Sequence, residues 1–206
     1  MIIKVCGMRN ADNIRQVDAI QGVNWMGFIF WPHSSRYVSE RPTYLPTHAK
    51  RVGVFVNEDL EQVKRIADDY TLSLIQLHGH ESPAYCRSLR SICRDSIATI
   101  KAFNIATIDD LTQTSAYTGV ADYFLFDTKG KSVGGNGEKF DWDILQHYHG
   151  QTPFLLTGGI KPTDAEKVRA FHHPQFAGID LNSGFETSPA MKDPALLSTF
   201  IDQITH

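Results

Sequence analysis

The chain of 206 residues has few cysteines, no long hydrophobic run and no concentration of charge of one sign. Its cysteines, Cys6, Cys86 and Cys93, are odd in number and lack metal-ligand spacing. This argues against a disulfide framework and favours a reducing, cytoplasmic compartment. The apolar runs have the length of strands, so we expect no transmembrane helix. The first residues lack the basic flank and apolar core of a signal peptide. From the length of the chain we expect a free-standing protein.

The charge balance argues against two broad classes of partner. The formal net charge is −3, and lysine and arginine do not cluster, so we expect neither nucleic acid nor a membrane surface as partner. The pairs His172–His173 and His147 with His149 could indicate a metal. No cysteine or carboxylate cluster accompanies them, so we favour surface histidines and predict no metal site.

Short β-branched runs alternate with longer amphipathic segments along the chain, which predicts an α/β protein. Eight strands are predicted at 2–6, 25–30, 51–56, 73–78, 97–103, 123–127, 154–157 and 177–181. Helices are predicted at 12–20, 59–69, 84–92, 108–117, 142–148, 164–171 and about 194–204. Residues 39–48 contain Pro42 and Pro46, so any helix there should be short or distorted.

Two architectures fit this order, a closed (β/α)8 barrel and an open doubly wound sheet. The glycine-rich dinucleotide motif does not follow the first strand, and no Walker loop occurs. The strand count favours the barrel. We predict a single-domain (β/α)8 TIM barrel over residues 1–206, with its active site at the carboxyl ends of the strands.

Two strand ends carry groups suited to proton transfer. Cys6 ends an apolar run and precedes a glycine, where a thiol is placed for chemistry, although a buried cysteine can also be simple packing. Asp127 follows four apolar residues, and it could be a general acid or an ordinary turn aspartate. Lys4 shares the strand face of Cys6, and it could pair with Asp180 if both point into the barrel.

Three loops and one arginine could bind a ligand. A long glycine-rich segment, 128–137, is either functional or a flexible linker. The turns 157–160 and 182–186 follow the seventh and eighth strands, where barrels commonly bind phosphate, although ordinary turns would look similar. Arg36 follows the second strand, and it could clamp a carboxylate or phosphate or remain solvated.

In combination these residues resemble the phosphoribosylanthranilate isomerase family of tryptophan biosynthesis almost from end to end. The matching stretches are KVCGM (4–8), GFIF (27–30), SSRYV (34–38), QLHGHE (76–81), GGNGEKFDW (134–142), GGIKP (158–162) and GIDLNSGFE (178–186). Asn136, Thr157 and Asn182 stand where the family commonly has other small residues.

The resemblance implies an Amadori rearrangement of N-(5-phosphoribosyl)anthranilate to 1-(2-carboxyphenylamino)-1-deoxyribulose 5-phosphate, at the third or a later step of the pathway. It implies Cys6 as general base, Asp127 as general acid and Arg36 as ligand of the anthranilate carboxylate. Further substrate-binding residues are expected at His78, Gly135, Gly158, Gly159, Asp180, Ser183 and Gly184. The expected partner is a small phosphosugar, and the expected state is a monomer or homodimer.

The chemistry itself calls for an acid that opens the ribose ring and a base that removes a carbon-bound proton. The resulting iminium is its own electron sink, so we expect neither cofactor nor metal. A base at neutral pH should have a lowered thiol pKa, and Lys4 is the expected cause for Cys6. One rival is the family of the histidine-pathway sugar isomerase. The resemblance to that family would imply an aspartate at each of the two catalytic strand ends, and Cys6 in place of the first aspartate argues against it. A non-catalytic phosphate-binding barrel would need neither Cys6 nor Asp127.

Overall fold

The structure, a computed structural model, describes residues 1–94, 96–127 and 142–205. Its eight parallel strands close a barrel in which each strand pairs with the next and β8 pairs with β1. The strands are β1 Ile2–Cys6, β2 Trp25–Ile29, β3 Lys50–Phe55, β4 Leu74–Leu77, β5 Ala98–Asn104, β6 Tyr123–Asp127, β7 Phe154–Thr157 and β8 Phe176–Leu181. The predicted (β/α)8 barrel is confirmed, and every predicted strand is present.

Helices lie between most strands and after the last one. The α-helices are α1 Ala11–Asp18, α2 Leu60–Asp69, α3 Pro83–Ile92, α4 Ala165–Ala170 and α5 Pro194–Thr205. The 3₁₀ segments are Ile108–Tyr117, Trp142–His147, Pro162–Asp164 and Ser183–Phe185. Residues 39–48 contain no helix, which agrees with the two prolines there.

The helices predicted at 142–148 and 108–117 are both 3₁₀ helices instead. The segment Ile108–Tyr117 shows the physical reason. Three hydroxyls in this segment donate hydrogen bonds to carbonyls three residues earlier, Thr112 to Asp109, Thr114 to Leu111 and Ser115 to Thr112. Short polar side chains that bond the local backbone compete with the α-helical pattern and favour the tighter turn.

The strand alternation separates two apolar layers. Ile3 and Val5 point outward into the layer between the barrel and its helices. A second cluster fills the inside of the barrel towards its amino-terminal end, and it includes Trp25, Leu74 and Leu125. Inward-facing residues nearer the carboxyl ends are polar. Apolar side chains therefore fill the amino-terminal end of the barrel, and groups able to react or to bind a ligand line the carboxyl-terminal end.

A short antiparallel hairpin follows β8 and lies outside the barrel sheet. It consists of β9 Glu186–Ser188 and β10 Met191–Lys192, and the sequence patterns did not predict it. Lys192 on β10 exchanges two backbone hydrogen bonds with the buried Asn13 side chain of α1. Within the described ranges, no helix is both long and apolar enough to cross a membrane.

Candidate active site

A cavity of about 430 Å³ opens at the carboxyl ends of the strands, a size suited to a small molecule. The predicted site residues in the described ranges all line it, from β1, β6, β8 and the loops after β2, β4, β7 and β8. They are Cys6, Arg36, His78, Asp127, Gly158, Gly159, Asp180, Ser183 and Gly184. The predicted site residue Gly135 and its glycine-rich loop lie outside the described residues.

The thiol of Cys6 lies next to a buried ion pair. Lys4 Nζ is 2.9 Å from Asp180 Oδ2, and both side chains are almost completely buried. The two residues are direct partners in the β1–β8 register, which explains how they meet inside the barrel. The expected pairing of Lys4 with Asp180 is confirmed.

The expectation of a lowered thiol pKa is wrong in its net direction. Burial raises the pKa of Cys6 above its ordinary value, because a thiolate loses hydration inside the barrel. Lys4 lowers the Cys6 pKa, as expected, but it offsets only part of the effect of burial. Burial also opposes the charge on Lys4, yet Asp180 and Cys6 raise the pKa of Lys4 above its ordinary value. The two raised pKa values therefore favour a neutral thiol beside a charged lysine.

Asp127 at the end of β6 faces His78, which directly follows β4. His78 Nε2 lies 3.7 Å from Asp127 Oδ2, which is too long for a hydrogen bond. On the other side of the ring, His78 Nδ1 lies 2.8 Å from Gln76 Nε2. When the Gln76 amide donates to Nδ1, a neutral ring has its proton on Nε2, towards Asp127.

Arg36 enters the cavity already paired, which sequence reasoning missed. Its Nε lies 2.8 Å from Glu186 Oε1, and its Nη2 donates to Glu186 Oε2, so the contact is bidentate. Glu186 also accepts from Lys192 Nζ. Glu186 closes the eighth-strand motif, which was a usable signal, whereas no local pattern pointed to Lys192.

The loops after β7 and β8 pack directly on one another. Gly158 and Gly159 both have positive φ, 95° and 70°, which side chains rarely adopt. A Cβ at Gly184 would lie 2.3 Å from the carbonyl oxygen of Ile160, so only glycine permits this approach. The Thr157 hydroxyl donates to the Asp180 carbonyl at 3.2 Å. The two glycine turns thus form one continuous wall of the cavity.

The fold and the cavity define a class, a (β/α)8-barrel enzyme with acid, thiol and cationic groups at the carboxyl ends of its strands. Across residues 3–203 the chain matches the family model described as N-(5'phosphoribosyl)anthranilate (PRA) isomerase. The chain belongs to this family of isomerases of tryptophan biosynthesis.

Individual relatives agree with this assignment. The N-(5'-phosphoribosyl)anthranilate isomerase of Phocaeicola vulgatus is 53% identical over 204 residues, covering 99% of this chain and 98% of that protein. The crystal structure of phosphoribosyl anthranilate isomerase from Thermotoga maritima has a TM-score of 0.83 at 30% identity, covering 100% and 99% of the two chains. A structure of such an isomerase in complex with reduced 1-(o-carboxyphenylamino)-1-deoxyribulose 5-phosphate has a TM-score of 0.79 at 28% identity, with coverage of 100% and 99%.

Proposed function

We propose that this chain converts N-(5-phosphoribosyl)anthranilate to 1-(2-carboxyphenylamino)-1-deoxyribulose 5-phosphate, with Asp127 as general acid and Cys6 as general base. The observation that carries the proposal is that both groups line one cavity from strands that are not neighbours, β1 and β6. A substrate between them can receive a proton on one side and lose one on the other.

The proposed reaction needs two proton transfers and no net redox change. Asp127 gives a proton to the ribose ring oxygen as the C1–O bond breaks, and the anthranilate nitrogen lone pair forms the C1=N iminium. Cys6 then removes the proton on C2, and those electrons form the C1=C2 bond and neutralise the nitrogen. Protonation of C1 and loss of the C2 hydroxyl proton give the ketone. Each positioned acid or base typically contributes about 10²–10⁴-fold.

The raised thiol pKa fits a base that ionises only when it is needed. The iminium places a positive charge next to Cys6 at the step in which the thiolate is required, and an opposite charge favours ionisation. The neighbouring Lys4 acts in the same direction. A less acidic thiol, once ionised, is also the stronger base.

Arg36 is proposed to hold the anthranilate carboxylate, because its guanidinium lines the cavity and can bind a second carboxylate beside Glu186. The turns at Gly158–Gly159 and Ser183–Gly184 are proposed to hold the phosphate.

Sugar hydroxyls are proposed to bind His78 and Asp180. Asp180 Oδ1 has no hydrogen-bond partner within the described part of the chain and can accept a hydrogen bond. Gly135, which lies outside the described residues, stays a predicted substrate-binding residue.

The test is an assay of the purified protein with N-(5-phosphoribosyl)anthranilate, followed as loss of anthranilate fluorescence. We expect turnover by the parent chain, and a fall of about 10²–10⁴-fold in kcat for Cys6→Ala and for Asp127→Asn. Cys86→Ala is the matched control, since this buried thiol lies outside the cavity. An inactive parent would refute the function, and robust activity of Cys6→Ala would refute the base.

We also propose that residues 1–206 act as one domain, as a monomer or a homodimer. Light scattering on the eluting protein distinguishes the two states, and a larger assembly would contradict both.

A further inference from the structure

Lys192 on β10 is a fully buried cation outside the barrel sheet. Its Nζ donates to Glu186 Oε1 and, at 3.0 Å, to Asn182 Oδ1. A buried lysine carries a large desolvation cost, so its retention in such a place calls for partners or for a task. Burial lowers the pKa of Lys192 despite the opposing effect of Glu186.

The backbone of Lys192 is held as firmly as its side chain. Its N–H donates to Asn13 Oδ1, and its carbonyl accepts from Asn13 Nδ2, each at 2.8 Å in a buried setting. Asn13 is on α1, the helix that follows β1, whereas Lys192 lies beyond β8. The contact therefore ties together the segments that follow the two strands carrying Cys6 and Asp180.

Glu186 links Lys192 to Arg36. One carboxylate oxygen accepts from Lys192 and, at 3.1 Å, from the backbone N–H of Ala190, while the other accepts from Arg36 Nη2. The Glu186 side chain is only 5% exposed. With both oxygens engaged, Glu186 has one orientation, and it fixes the plane of the Arg36 guanidinium.

The same network packs on the backbone next to Cys6. A Cβ placed on Gly7 would lie 2.7 Å from Arg36 Cδ, 2.9 Å from Asn182 Oδ1 and 3.4 Å from Lys192 Nζ. Lys192 Nζ therefore lies beside the backbone that follows Cys6, and its charge favours the thiolate.

The charges that face Cys6 come from four segments. Lys4 is balanced by Asp180, and Arg36 by Glu186, so the charge of Lys192 is in excess within this group. A thiolate at Cys6 would make the group neutral, which favours ionisation of the base.

We propose that Lys192 is a positioning residue with two effects: it holds Glu186, which orients Arg36 towards the substrate carboxylate, and its charge stabilises the Cys6 thiolate. The proposal rests on the proposed roles of Arg36 and Cys6.

Three variants separate the two effects. Lys192→Met removes charge and hydrogen bonds, Lys192→Gln keeps a donor without the charge, and Lys192→Arg keeps both. Each is assayed for KM and kcat across pH. The alkylation rate of Cys6 by iodoacetamide is measured against pH in the ligand-free protein, with peptide mapping to separate Cys6 from the other thiols. Lys101→Met is the control, since Lys101 is buried in an ion pair with Glu81 on the β4–β5 side.

We expect Lys192→Met to raise KM about tenfold, as loss of one charge-assisted contact does. The alkylation midpoint of Cys6 should rise by about one pH unit, and the deficit in kcat should shrink as the pH is raised. Lys192→Gln should shift the Cys6 alkylation midpoint as much as Lys192→Met does, but it should raise KM less. Lys192→Arg should have the parental midpoint and the parental KM. Lys101→Met should lose stability without moving the Cys6 midpoint.

A folded Lys192→Met with the parental KM and the parental midpoint would overturn the proposal. If neither neutral variant folds, Lys192 is a structural residue and the proposal is equally wrong. An inactive parent would instead refute the proposed function, which the parallel assay of the parent reveals.

Discussion

Lys4 Nζ lies 2.9 Å from Asp180 Oδ2 across the seam where β8 meets β1. Cys6 is two residues further along β1 on the same face, so this buried pair sets the charge beneath the thiol. The pair is the point at which barrel closure and the proposed chemistry depend on the same atoms. Its disruption should therefore affect stability and thiol ionisation together.

Lys4→Met should destabilise the fold by roughly 3–5 kcal/mol, because Asp180 would remain as a buried charge without its lysine. The same change removes the nearest cation from Cys6. The thiol pKa, already raised by burial, should rise further, and alkylation at pH 7 should slow. Denaturant unfolding measures the first effect, and the pH dependence of Cys6 alkylation measures the second.

The double variant Lys4→Met/Asp180→Asn serves as control for this prediction. It removes both charges, so it should recover part of the lost stability. An alkylation midpoint for parental Cys6 at or below that of free cysteine would contradict the effect of burial. An unchanged midpoint in Lys4→Met would contradict the role of Lys4.

Arg36→Met should raise KM for N-(5-phosphoribosyl)anthranilate by about 10–100-fold with a smaller change in kcat, because the guanidinium is proposed to bind the substrate carboxylate. Steady-state kinetics check this. Arg41→Met is the control, since Arg41 lies on the surface, outside the cavity, where it pairs with Asp69 and lies over the Tyr70 ring. A parental KM in Arg36→Met would refute the clamp.

Gly184→Ala should weaken phosphate binding. The new methyl would collide with the Ile160 carbonyl and push the turns after β7 and β8 apart. Titration calorimetry with inorganic phosphate should show a rise in Kd. Gly119→Ala is the control: its Cβ meets open space, but its φ of +76° strains an alanine, so it reports a loss of stability that leaves the cavity untouched. Equal phosphate affinity in Gly184→Ala and the parent would exclude these turns as the phosphate site.

Asp18→Asn should lower the free energy of unfolding at pH 7, on the order of 2 kcal/mol. Burial opposes the charge on Asp18, but hydrogen bonds from the backbone of Ala49, Thr47 and His48 hold its pKa at about 2, below the ordinary 3.8. A lowered pKa stabilises the fold above the unfolded-state value, and this contribution is lost as the pH falls from about 4 to about 2.

Unfolding curves measured at several pH values test this prediction. The difference in the free energy of unfolding between Asp18→Asn and the parent should become smaller below pH 4. Asp12→Asn on the same helix is the control, because its carboxylate is 86% exposed and should matter little. If this difference in unfolding free energy stays constant from pH 7 to pH 2, the charge of Asp18 does not contribute to stability.

The sequence alone determined the order of the strands and the two groups proposed for proton transfer. Short apolar runs end at Cys6 in β1 and at Asp127 in β6, and the strand ends of a parallel barrel converge at one mouth. These features are local, since a period of two and a following glycine can be seen within a few residues. The same local evidence missed the 3₁₀ form of 108–117, where hydroxyl bonds to the backbone outweigh an amphipathic pattern.

The tertiary structure alone decided the electrostatics. Arg36 and Glu186 are 150 positions apart, and they meet only because β8 closes the barrel against β1, the strand that also pairs with β2. Lys192 reaches them from a hairpin that no pattern predicts. Whether the pKa of Cys6 is raised or lowered depends on two opposing effects: burial of the thiol raises it, and the surrounding cations lower it. Residue types along a chain specify which groups can ionise, whereas hydration and distance, which exist only in the folded molecule, set how readily they do so.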